Sequence, residues 1–516
     1  MRGGVKRGGV LQRLISIPMP LFPRPLLYLA LVLGGGSSAL AQLEKGPNFL
    51  FVVADDLNTH IGPYVDASLK VYTPNLNRLA REGVSFSRAY TQYPVCGPAR
   101  AAFMSGLYPE TNGVTGNGFE MGNHRIATPA LADHPTLAGF LRERGYFTAR
   151  VSKIFHLGVP GGIERGEAGS DDPDSWDYAV NLMAPETLTP GNWEKLSQGN
   201  HYGSVFARLE LPDGAELTQA DVLAANQAIA ILENRATPRP VNSTNRSKFK
   251  PDAPFFLAVG FVRPHVPLIA ASRHFAHYPE DKVKLPHVPE NDFADIPEPA
   301  LALRNETRFG MDGSQQRRAI SAYHASISFM DEQLGRLLDA LDRLELREST
   351  VVVFISDHGY NLGEHSTWQK QNLWEESVRV PLIVSVPGTS QAGKVAKTIV
   401  ELNDLYPTFA ELGGLGEMAP AILQGESLVP LLEDPHRPTG DQIAFTISAS
   451  GGASIRTERW RYNRWGEDAD GLNEELYDHA NDPREYVNLA RLPEHGSNLA
   501  EIRVRFERVR RVARGN

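Results

Sequence analysis

The chain has 516 residues, 41% of them hydrophobic, with a formal net charge of −9 and a single cysteine. That apolar fraction can bury a sizeable core, and the length predicts one large domain plus a smaller one. A net-acidic chain argues against nucleic acid as a partner, and one thiol cannot build a disulfide framework.

The first 41 residues contain Arg2, Lys6, Arg7, Arg13 and Arg24 and no acid, run through the apolar stretch Leu26–Leu33, and end at Ala39-Leu40-Ala41. This order predicts a signal peptide over 1–41, cut before Gln42, and export to the periplasm or the extracellular space. The apolar run falls far short of the ~20 residues of a spanning helix, so no membrane span is expected. Removing the five cations leaves −14. An anionic ligand must then be drawn in by a local basic pocket, not by the global field.

Four apolar runs further on end in unusual polar groups. Asn48–Ala54 is followed by Asp55-Asp56, and Phe147–Ser152 by Lys153 and then His156. Phe255–Gly260 leads to Arg263-Pro264-His265, and Val351–Ser356 to Asp357-His358. Such runs predict strands buried on both faces of a largely parallel sheet. Helical patterns over 75–82, 136–144 and 322–346 separate them, the first two stopped by Gly83 and Gly145, where left-handed caps are wanted. The alternation predicts an α/β fold: a large mixed, mostly parallel sheet sandwiched by helices, with ligands beyond the carboxyl ends of the strands. All four polar clusters fall at that edge, so one site assembled from four distant segments is expected.

Residues 160–250, rich in Gly, Pro, Asp and Asn, are expected to form loops around that site. Glu433–Gly440 reads as a linker between a large domain, 42–434, and a small α+β domain, 441–516. Strands are predicted there near 442–447, 453–457 and 460–465, followed by an Arg-rich amphipathic tail from Asn498.

Adjacent carboxylates at Asp55-Asp56 are costly to keep ionised without a cation, and Asp357-His358 repeats the arrangement. Three carboxylates with little sulfur describe a hard divalent site, Ca²⁺ or Mg²⁺, with substrate oxygens completing the shell. Either pair alone would serve equally well as a helix N-cap or a surface turn. The one cysteine stands in Cys96-Gly97-Pro98-Ala99-Arg100, followed by Ala101-Ala102-Phe103-Met104-Ser105-Gly106. A lone thiol in an exported chain is kept for packing or for chemistry. The run fits Cys-x-Pro-x-Arg-x-x-x-[Leu/Met]-[Ser/Thr]-Gly at every defined position.

In this motif the chain resembles the type I, formylglycine-dependent sulfatases of the alkaline phosphatase superfamily. The resemblance spans about Asn48 to Gly388, with a C-terminal domain through Asn488, and is greatest to the iduronate-2-sulfatases. It is carried by Ala54–Asn58, Gln92–Arg100, Arg263-Pro264-His265-Val266-Pro267 and Ser356–Lys370. Two further details carry it: the two residues between Lys153 and His156, where many sulfatases have one, and Asp357-His358, where many have Asp-Asn.

The resemblance implies metal ligation by Asp55, Asp56, the modified Cys96, Asp357 and His358, with Ca²⁺ favoured over Mg²⁺. It implies oxidation of Cys96 to formylglycine by a formylglycine-generating maturation enzyme. The hydrated aldehyde offers one hydroxyl to attack sulfur and a second whose deprotonation releases sulfate. Arg100 is implied to hold this diol, Lys153 and Lys370 to clamp sulfate oxygens, His156 to act as base and His265 as acid. The implied substrate is a sulfated carbohydrate, a 2-O-sulfated uronic acid at a chain end. Trp368 and Tyr360 are candidate ring platforms, and Lys370, His265 or Arg263 candidate partners for the sugar carboxylate. Other readings are a sulfatase for a different sulfate ester, a phosphatase or phosphonate monoester hydrolase of the superfamily, and a sugar-binding paralogue whose Cys96 stays a thiol.

Overall fold

A nine-stranded sheet organises the chain, and its strands are the apolar runs. They are β1 (Asn48–Asp55), β2 (Val84–Tyr90), β3 (Phe147–Ser152), β4 (Tyr178–Val180), β5 (Phe255–Pro264), β6 (Thr350–Ser356), β7 (Arg379–Val380), β8 (Leu382–Ser385) and β9 (Val395–Glu401). The order is β7-β2-β8-β6-β1-β5-β3-β4, with β9 alongside β2. From β6 through β4 all pairings are parallel, and β8 joins antiparallel to β6 and β2. The computed structural model describes residues 46–64, 71–118, 122–236, 253–301, 309–449, 451–467 and 472–515. The expected signal peptide lies outside the described residues, which belong to one compact unit.

Helices cover both faces because every central strand is apolar on both. Leu50, Val52 and Ala54 of β1 join one core cluster, shared with helices α4 (Ala220–Ala236) and α5 (Gly313–Arg343). Phe49, Phe51 and Val53 join the other, shared with α3 (Leu137–Glu143) and α6 (Leu405–Leu412). The period of two thus survives inside a continuous apolar run. Helix α1 (Pro74–Glu82) starts on its proline, and Asp331 of α5 accepts the Asn75 and Leu76 N–H groups at 3.0 and 2.7 Å. Asp312 and Gln315 close a capping box at the start of α5. No described helix is long and apolar enough to cross a membrane.

Two local expectations need correction. Gly83 closes α1 in an extended conformation (φ −134°), not a left-handed one, while Gly145 after α3 is left-handed at φ +95°. Gly83 is instead needed because a β-carbon would meet the Val384 carbonyl oxygen at 2.5 Å. Residues 160–250 are not all loops. They include α4 and the strands Asn192–Lys195 and Ala207–Leu211, which form a small sheet with Leu268–Ala271. Helix α4 has alanines on several sides, so it shows no clear apolar stripe.

The C-terminal region is a four-stranded antiparallel sheet, β10 (Ala444–Ile447), β11 (Gly452–Arg456), β12 (Trp460–Trp465) and β13 (Glu474–Asp478), with helix α7 (Gly496–Ala513) against it. Strand β13 was not among the expected elements. Arg461 on β12 is buried between Glu375 and Glu485, tying this sheet to the segment before β7.

Candidate active site

Strands β6, β1, β5 and β3 are neighbours in the sheet, so their carboxyl ends deliver Asp357-His358, Asp55-Asp56, His265 and Lys153 to one edge. Turning the chain there requires unusual backbone. Asp56 and Ser152 hold φ at +67° and +63°, conformations a β-carbon disfavours. A β-carbon on Gly260 would stand 2.0 Å from the Lys153 carbonyl oxygen, so β3 can deliver Lys153 only past a glycine.

Cys96 opens α2 (Cys96–Ser105), a helix whose ten residues are all buried. The Gly97 N–H donates to Asn117 Oδ1 at 2.8 Å, and a β-carbon at 97 would meet the same oxygen at 2.7 Å. Arg100, one turn on, donates from Nε to Asp357 Oδ2 at 2.9 Å and lies 3.4 Å from Asp55 Oδ1 through Nη2. Its Nη1 donates to the Lys153 and Ile154 carbonyls. Lys153 Nζ is 2.5 Å from Asp55 Oδ2. Lys370 Nζ donates to Asp56 Oδ1 and lies 3.5 Å from Cys96 Sγ. His358 Nε2 is 3.3 Å from both Cys96 Sγ and Asp56 Oδ1, while its Nδ1 faces the Gly359 carbonyl at 2.9 Å. His265 Nε2 is 3.8 Å from Asp56 Oδ2.

Burial and charge split the acids. Burial pushes Asp55 up, but Lys153, His265 and Arg100 prevail and hold it well below the usual carboxylate range. For Asp56 and Asp357 burial prevails, raising Asp56 and taking Asp357 to about 6 despite His358 and Arg100. His358 rises to about 9 against burial, chiefly through Asp357. His265 falls to about 4 through burial and then Lys370, and His156 to about 3 through burial and then Lys153. Burial and Asp55 raise the Cys96 thiol, but Lys370, Lys153 and His358 carry it well below its usual value.

The donor set fits a divalent cation. Asp55, Cys96, Asp357 and His358 each place one ligand atom within 4.8 Å of the others, and Asp56, Cys96 and His265 form a second such group. Asp55 Oδ1 and Asp56 Oδ2 are sealed from solvent and accept no hydrogen bond among the described residues. A buried carboxylate oxygen without a donor is expensive, and a hard cation between three carboxylates removes that cost.

Ten of the sequence-predicted residues, Asp55, Asp56, Cys96, Arg100, Lys153, His156, His265, Asp357, His358 and Lys370, therefore converge. His156 feels the charges of Lys153, Asp55, Arg100 and Lys370, and its buried Nδ1 has no hydrogen-bond partner among the described residues. The ring platforms fail. Tyr360 is fully buried and stacks on Tyr323 at 5.1 Å, and Trp368 packs against Phe206 at 5.3 Å. Arg263 is also buried, paired with Glu186 at 2.5 Å, and so does not reach for a sugar carboxylate. Sequence reasoning missed three supports: Tyr323, Asn117 and Ser356, whose Oγ accepts the Leu57 N–H at 2.9 Å. Ser356 ends a quoted strand, but nothing marks Tyr323 within its helix.

An α/β sheet with a carboxylate-rich, cation-balanced centre at its carboxyl edge defines a hydrolase of the alkaline phosphatase superfamily. The sulfatase family model matches residues 47–415, and that of the N-sulphoglucosamine sulphohydrolase C-terminal region matches 363–512. A sulfatase of Formosa agariphila is 32% identical over 87% of this chain and 84% of its own length. Human iduronate 2-sulfatase is 30% identical over 77% of this chain and 76% of its own. A solved 2-O GAG sulfatase superposes with a TM-score of 0.65 over 91% of this chain and 92% of its own at 23% identity, a likeness of fold. The chain belongs to the sulfatase family and is a sulfuric ester hydrolase.

Proposed function

We propose that this sulfatase removes the 2-O-sulfate from a uronic acid at the exposed end of a polysaccharide, using Cys96 matured to formylglycine. The convergence of Cys96 with Arg100, Lys153, Lys370 and three carboxylates in one buried centre carries the reaction. The uronate assignment is supported by the Lys153–His156 spacing, the Asp357-His358 pair and the 30% identity to human iduronate 2-sulfatase.

Asp55, Asp56, Asp357 and His358, with position 96, would hold the divalent cation, Ca²⁺ by its fit to carboxylate oxygens. When bound, it supplies positive charge that acidifies the attacking hydroxyl and draws charge from a sulfate oxygen. Position 96, as hydrated formylglycine, supplies that hydroxyl. A serine would instead retain a stable sulfate ester. Arg100, fixed by Asp357 and two carbonyls with Nη2 3.4 Å from Asp55 Oδ1, sets its positive charge beside position 96. Lys153 and Lys370 neutralise the sulfate monoanion, which would otherwise repel the nucleophile. His156, kept neutral by burial, takes a proton from position 96, and His265 gives one to the departing sugar oxygen once the sulfate anion offsets the Lys370 and Lys153 charges that help burial hold its pKa down.

We further assign residues 42–434 to the catalytic domain and 441–516 to the small domain. Export follows from residues 1–41, and the maturation enzyme is a required partner. The test compares kcat/KM on a 2-O-sulfated uronate disaccharide, a 6-O-sulfated glucosamine, an aryl sulfate and a phosphonate monoester. The uronate should lead. Preference for the aryl or 6-O-sulfate overturns the uronate assignment, and preference for the phosphonate overturns the formylglycine sulfatase chemistry proposed for this centre.

A further inference from the structure

Strand β5 leaves its register where it reaches the active site. It pairs with β1 residue for residue from Phe49 with Phe256 to Val53 with Gly260, and the next pairing is Asp55 with Pro264. Two steps along β1 are thus answered by four along β5, and the pairing of β5 with β3 also ends at Gly260. Val262 and Arg263 fall in this out-of-register stretch, and both are buried. Their N–H groups therefore need an acceptor that the ladder does not supply.

Asp221 supplies it. It stands in the first turn of α4, where its Oδ1 accepts the Val262 N–H at 2.7 Å and its Oδ2 accepts the Arg263 N–H at 3.1 Å. An acid in a first turn is favoured by the helix dipole whatever its side chain touches. Here both oxygens are spent on the strand, and the Ala220 N–H of the helix goes to Glu186 Oε1 at 3.1 Å. Glu186 also holds the Arg263 guanidinium through its other oxygen. Two buried acids thus fix Arg263, one by its backbone and one by its side chain.

The grip reaches His265 in one further step. The Val262 carbonyl accepts the His265 N–H at 3.0 Å, so Val262 is held at its N–H by Asp221 and at its carbonyl by His265. Nδ1 of His265 lies 2.6 Å from the Val266 carbonyl. A carbonyl oxygen only accepts, so Nδ1 carries a proton, and Nε2 is the nitrogen left to face the centre, 3.8 Å from Asp56 Oδ2. Where Nε2 stands follows from this turn, and misplacing a reacting group by about 1 Å can cost on the order of 10²-fold in rate.

We propose that Asp221 is a positioning residue for the reaction: by gripping the two out-of-register N–H groups of β5 it sets where His265 Nε2 stands. It acts through the backbone and not on the ester. The consequence for turnover rests on the reading of His265 as acid to the leaving oxygen, whereas the placement of the ring does not.

The test compares the mature enzyme with Asp221→Asn and His265→Ala. Burial pushes Asp221 up to about 7 against Arg263 and the two N–H groups, so the measurements are made at about pH 8, where both oxygens accept. The amide keeps one acceptor and turns an N–H toward the other backbone N–H, so one grip is lost at nearly constant volume. In protein labelled with carbon-13 in its histidine rings, the His265 signal is the one missing from His265→Ala. It should move in Asp221→Asn while the other histidine signals stay. Turnover is followed on aryl sulfates whose phenols run from 4-nitrophenol to 4-methoxyphenol. The more basic the leaving oxygen, the more it needs an acid. Both variants should lose kcat more steeply as the phenol becomes more basic. In Asp221→Asn the excess loss across the series should reach about tenfold, with KM within about twofold. An enzyme that is merely destabilised loses the same factor on every ester. The proposal is overturned by an unmoved His265 signal or by a shift shared among all the histidines. It is overturned too by a uniform loss in Asp221→Asn while His265→Ala discriminates among the esters. A uniform loss in His265→Ala instead removes the acid assignment, and the His265 signal then decides alone whether Asp221 aims that ring. Should Asp221→Asn not fold, Asp221→Ser, with one oxygen acceptor in a smaller volume, carries the same measurements.

Discussion

The Tyr323 hydroxyl donates to the Asp56 carbonyl at 2.7 Å and accepts the Asn58 N–H at 3.0 Å. It thus clamps both sides of a residue held at φ +67°, the turn that aims the Asp56 carboxylate inward. A strained backbone persists only where its surroundings over-determine it, and here helix α5 supplies the constraint from 267 residues away.

Tyr323→Phe should therefore loosen the cation site without touching it. Two buried backbone groups lose their partner, at about 1–3 kcal/mol each. We expect the dissociation constant for Ca²⁺ to rise by about tenfold or more, with a lower Tm. Metal titration checks this, and an unchanged constant would remove Tyr323 from the positioning of Asp56.

Exhaustive chelation should abolish turnover and lower the Tm, because three buried carboxylates lose the charge that balances them. Ca²⁺ should restore both. A melting curve indifferent to chelator, with no metal found by elemental analysis, would count decisively against the site.

Cys96→Ala removes one small buried side chain, so its Tm should stay within a few degrees of the parent while sulfate-ester turnover falls by about 10³-fold or more. Active protein from a host with the maturation machinery should yield a Cys96 peptide that reacts with hydrazides. Full turnover by protein bearing only the free thiol would refute formylglycine as the nucleophile.

Glu332 predicts a pH dependence of stability away from the site. His274 Nε2 at 2.9 Å and Arg273 Nη2, shared between both carboxylate oxygens at 2.9 and 3.0 Å, carry its pKa down to about 2 against partial burial. The folded value lies below the unfolded one, so the folded state resists protonation. The contribution is complete above about pH 4.5 and is lost as pH falls toward 2. The gap in Tm between the parent and Glu332→Gln should hold constant from pH 7 to 5 and shrink from pH 5 to 3. A gap that is flat or widens through the lower range would contradict the assignment.

How much of this was legible in the chain depended on sequence distance. The apolar runs at 48–54, 147–152, 255–260 and 351–356 announce buried parallel strands, since period and β-branching are local properties that survive burial on both faces. Their polar ends were legible because four such groups each follow a buried run, although either acidic pair alone would serve as an N-cap or a surface turn. Helix α4 was hidden, because alanine on several sides leaves no stripe to read. Tyr360 and Trp368 looked like sugar platforms because aromatic character is written in the sequence, whereas the side of the sheet a ring enters is not.

The sequence by itself determined the α/β class, the four strand ends and the motif around Cys96, all of which rest on residues within a dozen positions of each other. The tertiary structure alone decided which carboxylate receives which cation: Lys153 goes to Asp55, Lys370 to Asp56 and Arg100 to Asp357. It alone decided, too, that Tyr323 steadies Asp56. These contacts join segments between 98 and 314 residues apart, and strand order with helix packing, neither of which any local pattern encodes, brings them together.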